Sequence, residues 1–168
     1  MDDEKLKNIL FNTKKCGWEK TTEEEKNEIF KLGDEYIYFL NKCKTERETI
    51  EFSKEILDKN GFVDIKEKMI LAPGDKVYYI NKNKSMYIAV IGEKPLETGL
   101  NIVGAHVDSP RLDLKPNPLY EDTGFAYLKT HYYGGIKKYQ WTTIPLSMHG
   151  VIVKANGEKV EINIGEDE

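Results

Sequence analysis

The sequence predicts an α/β chain whose last third is all strand, and three observations carry this. Before Gly61, apolar residues recur at helical spacing behind two capping boxes. After Gly61, short apolar or alternating runs bounded by turn residues take over. Near the end, an Asn-Gly pair sits between two such runs.

Taken in order, Ile29, Phe30, Tyr36, Ile37, Phe39 and Leu40 keep one face of a helix from Glu23 to about Lys44, and Thr22 with Glu25 supplies its capping box. That helix is expected to bury one face. Thr45 and Glu48 repeat the box, Ile50, Phe52, Ile56 and Leu57 form the next apolar set, and Asn60-Gly61 is a left-handed stop. Pro73-Gly74 marks a turn, and Val77–Ile80 and Met86–Ile91 read as a hairpin joined by polar Asn81 to Ser85. Leu100-Asn101-Ile102-Val103-Gly104-Ala105 is an apolar run ending in small residues, the pattern of a buried strand that delivers His106 to a sheet edge. Beyond Leu114 come Pro116 and Pro118, then Tyr- and Gly-rich sequence, then Val151-Ile152-Val153 and Val160-Glu161-Ile162 around Asn156-Gly157. The shift in composition places a boundary near Pro118, dividing the chain into 1–118 and 119–168.

The bulk properties exclude several classes. At 168 residues the chain holds one domain or one domain and part of another, and 39% hydrophobic with 32% charged residues is a globular composition. The net charge of −4 is dispersed, so no basic stripe exists for a phosphate backbone and nucleic acid is not an expected partner. No apolar run approaches the roughly 20 residues that cross a bilayer, and Met1-Asp2-Asp3-Glu4-Lys5 lacks the features of a secretory leader, so no membrane is expected. Cys16 and Cys43 form no C-x-x-C pair and read as incidental thiols of a reduced, cytoplasmic chain.

Chemistry concentrates in Gly104-Ala105-His106-Val107-Asp108-Ser109-Pro110. In extended backbone, residues two apart share a side, which puts the His106 imidazole beside the Asp108 carboxylate. A metal-bound histidine commonly donates its second ring N–H to a carboxylate or carbonyl, so His106 fits a ligand and Asp108 its support. On these residues alone, a hydrogen-bonded histidine at a strand end remains the plain alternative. Ser109 has no nucleophile-elbow glycines and reads with Pro110 as a turn.

Gly104-Ala105-His106-Val107-Asp108-Ser109-Pro110 resembles the Gly-Ala-His-x-Asp-Ser-Pro signature of the aspartyl-aminopeptidase family of dinuclear zinc aminopeptidases. Tyr38-Phe39-Leu40, Lys44-Thr45-Glu46-Arg47, Gly61-Phe62, Pro73-Gly74-Asp75-Lys76 and Val90-Ile91-Gly92 are similar to its N-terminal region, and Tyr133-Gly134-Gly135, Trp141, Leu146 and Gly150 to a later block. The resemblance thus covers almost the whole chain. It implies His106 as a zinc ligand, Asp108 as the catalytic carboxylate that orients or polarises a ligand imidazole, and two zinc ions per site. It implies peptides as substrates, their N-terminal residue released by metal-activated water. The fold implied is the N-terminal part of the proteolytic α/β domain over 1–118, then the first strands of an inserted β domain that makes homo-oligomer contacts. The family's remaining ligands and general base have no match here, so the chain alone is expected to be inactive. Where the family commonly has Asp-Arg-Asp after the tryptophan, this chain has Thr143-Ile144-Pro145, and no preference for acidic N-terminal residues is carried over.

Two rival readings stand beside this one. The chain is alternatively a non-catalytic interaction or assembly module using its Tyr-rich β region, with Tyr127, Tyr132, Tyr133 and Tyr139 as β-surface. Or His106, His131 and His149 build a mononuclear metal site. The final Gly165-Glu166-Asp167-Glu168 reads as a solvated end.

Overall fold

The structure, a computed structural model, describes residues 3–11 and 16–166. The leader reading at Met1-Asp2 and the last residues of the acidic end, Asp167-Glu168, lie outside the described residues. The chain forms two compact units, Met1–Asn41 and Lys42–Glu168.

The first unit contains α1 (Asp3–Leu10), a 3-10 turn at Gly17–Glu19 and nearly all of α2 (Glu23–Lys42). The expected box starts α2: the Thr22 N–H donates to Glu25 Oε2 at 2.7 Å, and the Glu25 N–H donates to Thr22 Oγ1 at 3.2 Å. Glu23, Glu24 and Glu25 add negative charge where the helix dipole is positive. The expected buried face is not found. Ile29, Phe30, Tyr36, Ile37 and Leu40 are all exposed, while Trp18 stacks on Phe30 and Tyr36 on Phe39. An amphipathic stripe needs a facing layer, and a unit of two helices and one turn supplies no sheet to cover it.

In the second unit, α3 (Glu46–Lys59) is closed at both ends. The Glu48 N–H donates to Thr45 Oγ1 while Glu48 Oε2 accepts from the Thr45 N–H, and at the other end Gly61, at φ +78°, completes a Schellman turn. There the Phe62 N–H donates to the Leu57 carbonyl and the Gly61 N–H to the Asp58 carbonyl. β1 (Val63–Asp64) then runs parallel to β2 (Lys76–Asn81), which pairs antiparallel with β3 (Ser85–Val90) in register Tyr79↔Tyr87. Lys82 and Asn83 take positive φ at the centre of the tight turn in the three-residue loop Lys82-Asn83-Lys84, where the Lys84 N–H donates to the Asn81 carbonyl at 3.0 Å. The small core lies where α3 meets this sheet: Ile50 and Val77 are fully buried, with Leu57, Tyr78, Cys43 and Thr49 around them. Tyr78 keeps its polar end satisfied by donating to Asp58 Oδ1 at 3.0 Å.

Two further antiparallel pairs follow, each a separate sheet. β4 (Arg111–Asp122) and β5 (Phe125–Tyr133) form a long ribbon, and after a short helix α4 (Lys138–Trp141), β6 (Met148–Val153) pairs with β7 (Lys159–Ile164) across the expected Asn156-Gly157 turn. The last third is therefore not all strand, since α4 interrupts it. The expected boundary at Pro118 falls inside β4, where the register slips between Leu114 and Leu119. Pro116 and Pro118 have no N–H to give the ladder, which locates the irregularity without breaking the strand. The strand expected at Leu100–Ala105 is also not formed: this segment is irregular, and Ile102 and Val103 are 82% and 99% exposed. A strand exists only through pairing, and among the described residues no segment pairs with this run.

Candidate metal centre

His106 sits in the irregular connection that leads from the turn at Leu96–Thr98 into β4. Its Nδ1 lies 2.8 Å from the Asp108 carbonyl oxygen and 3.3 Å from Asp108 Oδ1. A carbonyl only accepts, so Nδ1 carries the proton, and in the neutral ring the lone pair is on Nε2. The side chain is 82% exposed, which leaves that lone pair open to a metal. This is the arrangement a histidine ligand needs: tautomer fixed on one side, donor atom free on the other. The Asp108 carboxyl is held below the usual carboxylate range by its own backbone N–H, then by the Tyr133 hydroxyl and the neighbouring His106.

The residues flanking Asp108 are tied to the start of α3. Thr49 Oγ1, which donates to the Thr45 carbonyl at 3.0 Å, lies 3.5 Å from the Val107 carbonyl. Arg111, the first residue of β4, donates from Nε to Asp113 Oδ1 at 2.7 Å, and its Nη2 is 3.2 Å from Glu46 Oε1. Its guanidinium also lies 4.1 Å from the ring centre of Tyr133, its partner across the ribbon. Thr49, Glu46, Arg111 and Tyr133 were not singled out as site residues from sequence. The only local signal was the alternation that pairs Arg111 with Asp113 on one face of a strand; the other contacts are set by tertiary packing.

The other two histidines are elsewhere. His131 lies on β5 opposite Asp113 and packs edge-on against Tyr132. His149, on β6, has both nitrogens engaged: Nδ1 is 2.9 Å from Glu48 Oε1, and Nε2 is 2.9 Å from Glu166 Oε1 and 3.2 Å from Ser147 Oγ. It clasps the β6–β7 hairpin to the start of α3. Among the described residues no group of three His, Cys, Asp or Glu side chains converges on a metal position, so the three-histidine site is not assembled. His106 with Asp108 is the one pair from the sequence reading that the fold brings together.

A histidine with one ring nitrogen held and the other open, beside a carboxylate, is a candidate metal site, and the class of protein comes from the comparisons with known proteins. Residues 39–168, which include both side chains, match the model of peptidase M18, the aminopeptidase I zinc metalloproteases. The chain belongs to this family. It is 52% identical over 151 residues to a probable M18 family aminopeptidase 1 of Borrelia garinii subsp. bavariensis, covering 90% of this chain and 33% of that protein. It is 48% identical to the corresponding protein of Clostridium acetobutylicum over 97% of this chain and 36% of that one. The crystal structure of aminopeptidase I from Borrelia burgdorferi B31 superposes with a TM-score of 0.87 at 48% identity, over 92% of this chain and 38% of that one. The chain thus spans about a third of the length of the curated relatives it matches.

Proposed function

We propose that this chain is the N-terminal part of a zinc-dependent aminopeptidase that releases N-terminal amino acids from peptides. Family membership supports the reaction class. One observation carries it to particular residues: the His106 Nδ1–H held by Asp108, with Nε2 left to solvent. His106 is then a zinc ligand, and Asp108 orients its imidazole and strengthens it as a donor. Zinc, two ions per site, supplies polarisation of the scissile carbonyl and activation of the attacking water. A catalytic zinc takes three protein ligands, so His106 does not suffice and the 168-residue chain by itself is inactive.

On the same reading, residues 1–118 begin the proteolytic domain and 119–168 supply the first strands of an inserted β domain. Exposed Tyr120, Phe125 and Tyr127 on the ribbon are suited to contacts in a homo-oligomer. Free Cys16 and Cys43 support a cytoplasmic site of action. The same exposed aromatic ribbon favours a second reading, a non-catalytic assembly module. Hydrolysis of a panel of aminoacyl chromogenic substrates with zinc, cobalt or manganese separates the two. A longer protein carrying this chain is expected to turn over substrate and to lose turnover with His106→Ala, while the 168-residue chain is expected to show none. Absence of turnover in the longer protein would favour the module; turnover by the isolated chain would refute its incompleteness.

A further inference from the structure

We propose that His149 is a proton-operated latch: as the imidazolium it joins Glu48 to Glu166, and on losing one proton it keeps Glu48 and releases Glu166. Its Nδ1 lies 2.9 Å from Glu48 Oε1 on α3, and its Nε2 lies 2.9 Å from Glu166 Oε1 just beyond β7. Ionised carboxylate oxygens only accept, so both ring nitrogens donate at once, which only the cationic ring can do. The His149 side chain is 10% exposed, so water does not readily stand in for either partner. An imidazole exchanges this proton between about pH 5 and 8.

The surroundings decide which nitrogen gives the proton up. Glu48 is fixed in place, because its Oε2 accepts the Lys44 and Thr45 N–H groups at 2.9 and 2.8 Å. At Nε2 the Ser147 hydroxyl stands 3.2 Å away, and a hydroxyl that accepts from the ring in one state can donate to it in the other. The neutral ring therefore keeps Nδ1–H on Glu48, takes a hydrogen bond from Ser147 at Nε2, and turns a lone pair toward Glu166. Two acceptors face one another there, and the exposed Glu166 carboxylate has water to turn to. It keeps Asn163, which donates to its Oε2 at 2.9 Å from the strand position paired with His149. The Glu166 carboxyl is held below its ordinary range by Asn163, then by His149, with Lys44 adding to the effect, so it is ionised where the ring titrates. Cys43, beside Glu48, remains a neutral thiol there, its ionisation pushed up by burial and then by Glu48. Loss of the proton thus frees the Glu166 end of β7 while the hairpin stays tied to α3 through Glu48.

The test uses the full-length protein that contains this chain, crystallised at about pH 5.5 and about pH 8, on either side of the imidazole range. At the lower pH, Glu166 Oε1 is expected within about 3.0 Å of Nε2; at the higher, Ser147 Oγ takes that place and Glu166 is turned away. Glu166→Gln separates a proton switch from other effects of pH. An amide accepts from the cation through its oxygen and donates to the neutral ring through its nitrogen, so its contact with Nε2 is expected at both pH values. In solution, the coupling between His149→Gln and Glu166→Ala in denaturant unfolding is expected to reach about tenfold at the lower pH and to vanish at the higher. Glu166 on Nε2 in the wild type at the higher pH, its absence from Nε2 at the lower, or the same loss at the higher pH in Glu166→Gln would overturn the proposal. So would a coupling that does not change with pH.

Discussion

The imidazole of His106 has its two nitrogens assigned by one short contact, and the sequence reading anticipated the partner but not the atom. Asp108 was expected to support His106 through its carboxylate; the shorter contact is to its carbonyl, at 2.8 Å against 3.3 Å. Residue spacing predicts which side chains share a side, but not how an irregular loop turns its peptide planes. Asp75 shows a residue-scale effect with a testable sign. It pairs with Lys68 and accepts the Ala72 N–H at 2.8 Å, and these two contacts, Lys68 first, lower its pKa. A depressed carboxylate contributes stability that is present above its unfolded value, about 3.9, and is lost as pH falls through the folded value. Asp75→Asn is therefore expected to lower Tm at pH 7, with the difference from wild type closing below about pH 4 in a pH series of thermal melts.

At the scale of elements, what was legible was local. Both capping boxes, the Asn60-Gly61 stop and the β2–β3 and β6–β7 hairpins were readable because their signals lie within a few residues of each other. Leu100–Ala105 was misread because strand formation depends on a partner distant in sequence, and the pattern of a doubly buried strand says nothing about where that partner is. The burial expected for α2 failed for the same reason: periodicity names the face and not what covers it. The α3 box allows a quantitative check. Thr45→Ala leaves the Glu48 N–H without its side-chain acceptor and is expected to cost about 1 kcal/mol by denaturant unfolding. Thr45→Ser is expected to restore most of that loss.

Among the described residues the fully buried core is limited to Ile50 and Val77 with their neighbours, while Met69, Ile70, Ile102 and Val103 stand in solvent. That much exposed apolar surface is characteristic of surfaces that meet another surface. It accords with a chain covering about a third of the relatives it matches. The start of α3 is the organising point of the second unit, since Glu46 holds Arg111 and Glu48 holds His149. Both ribbons and the His106 loop thereby refer to one helix end. On the proposed function, this scaffold presents His106 Nε2 to zinc. Anomalous diffraction at the zinc edge, from crystals of the full-length protein grown with zinc, tests it most directly. A zinc peak is expected about 2.0–2.1 Å from His106 Nε2, with Nδ1 facing Asp108. A peak on Nδ1, or bound zinc with none near His106, would contradict it.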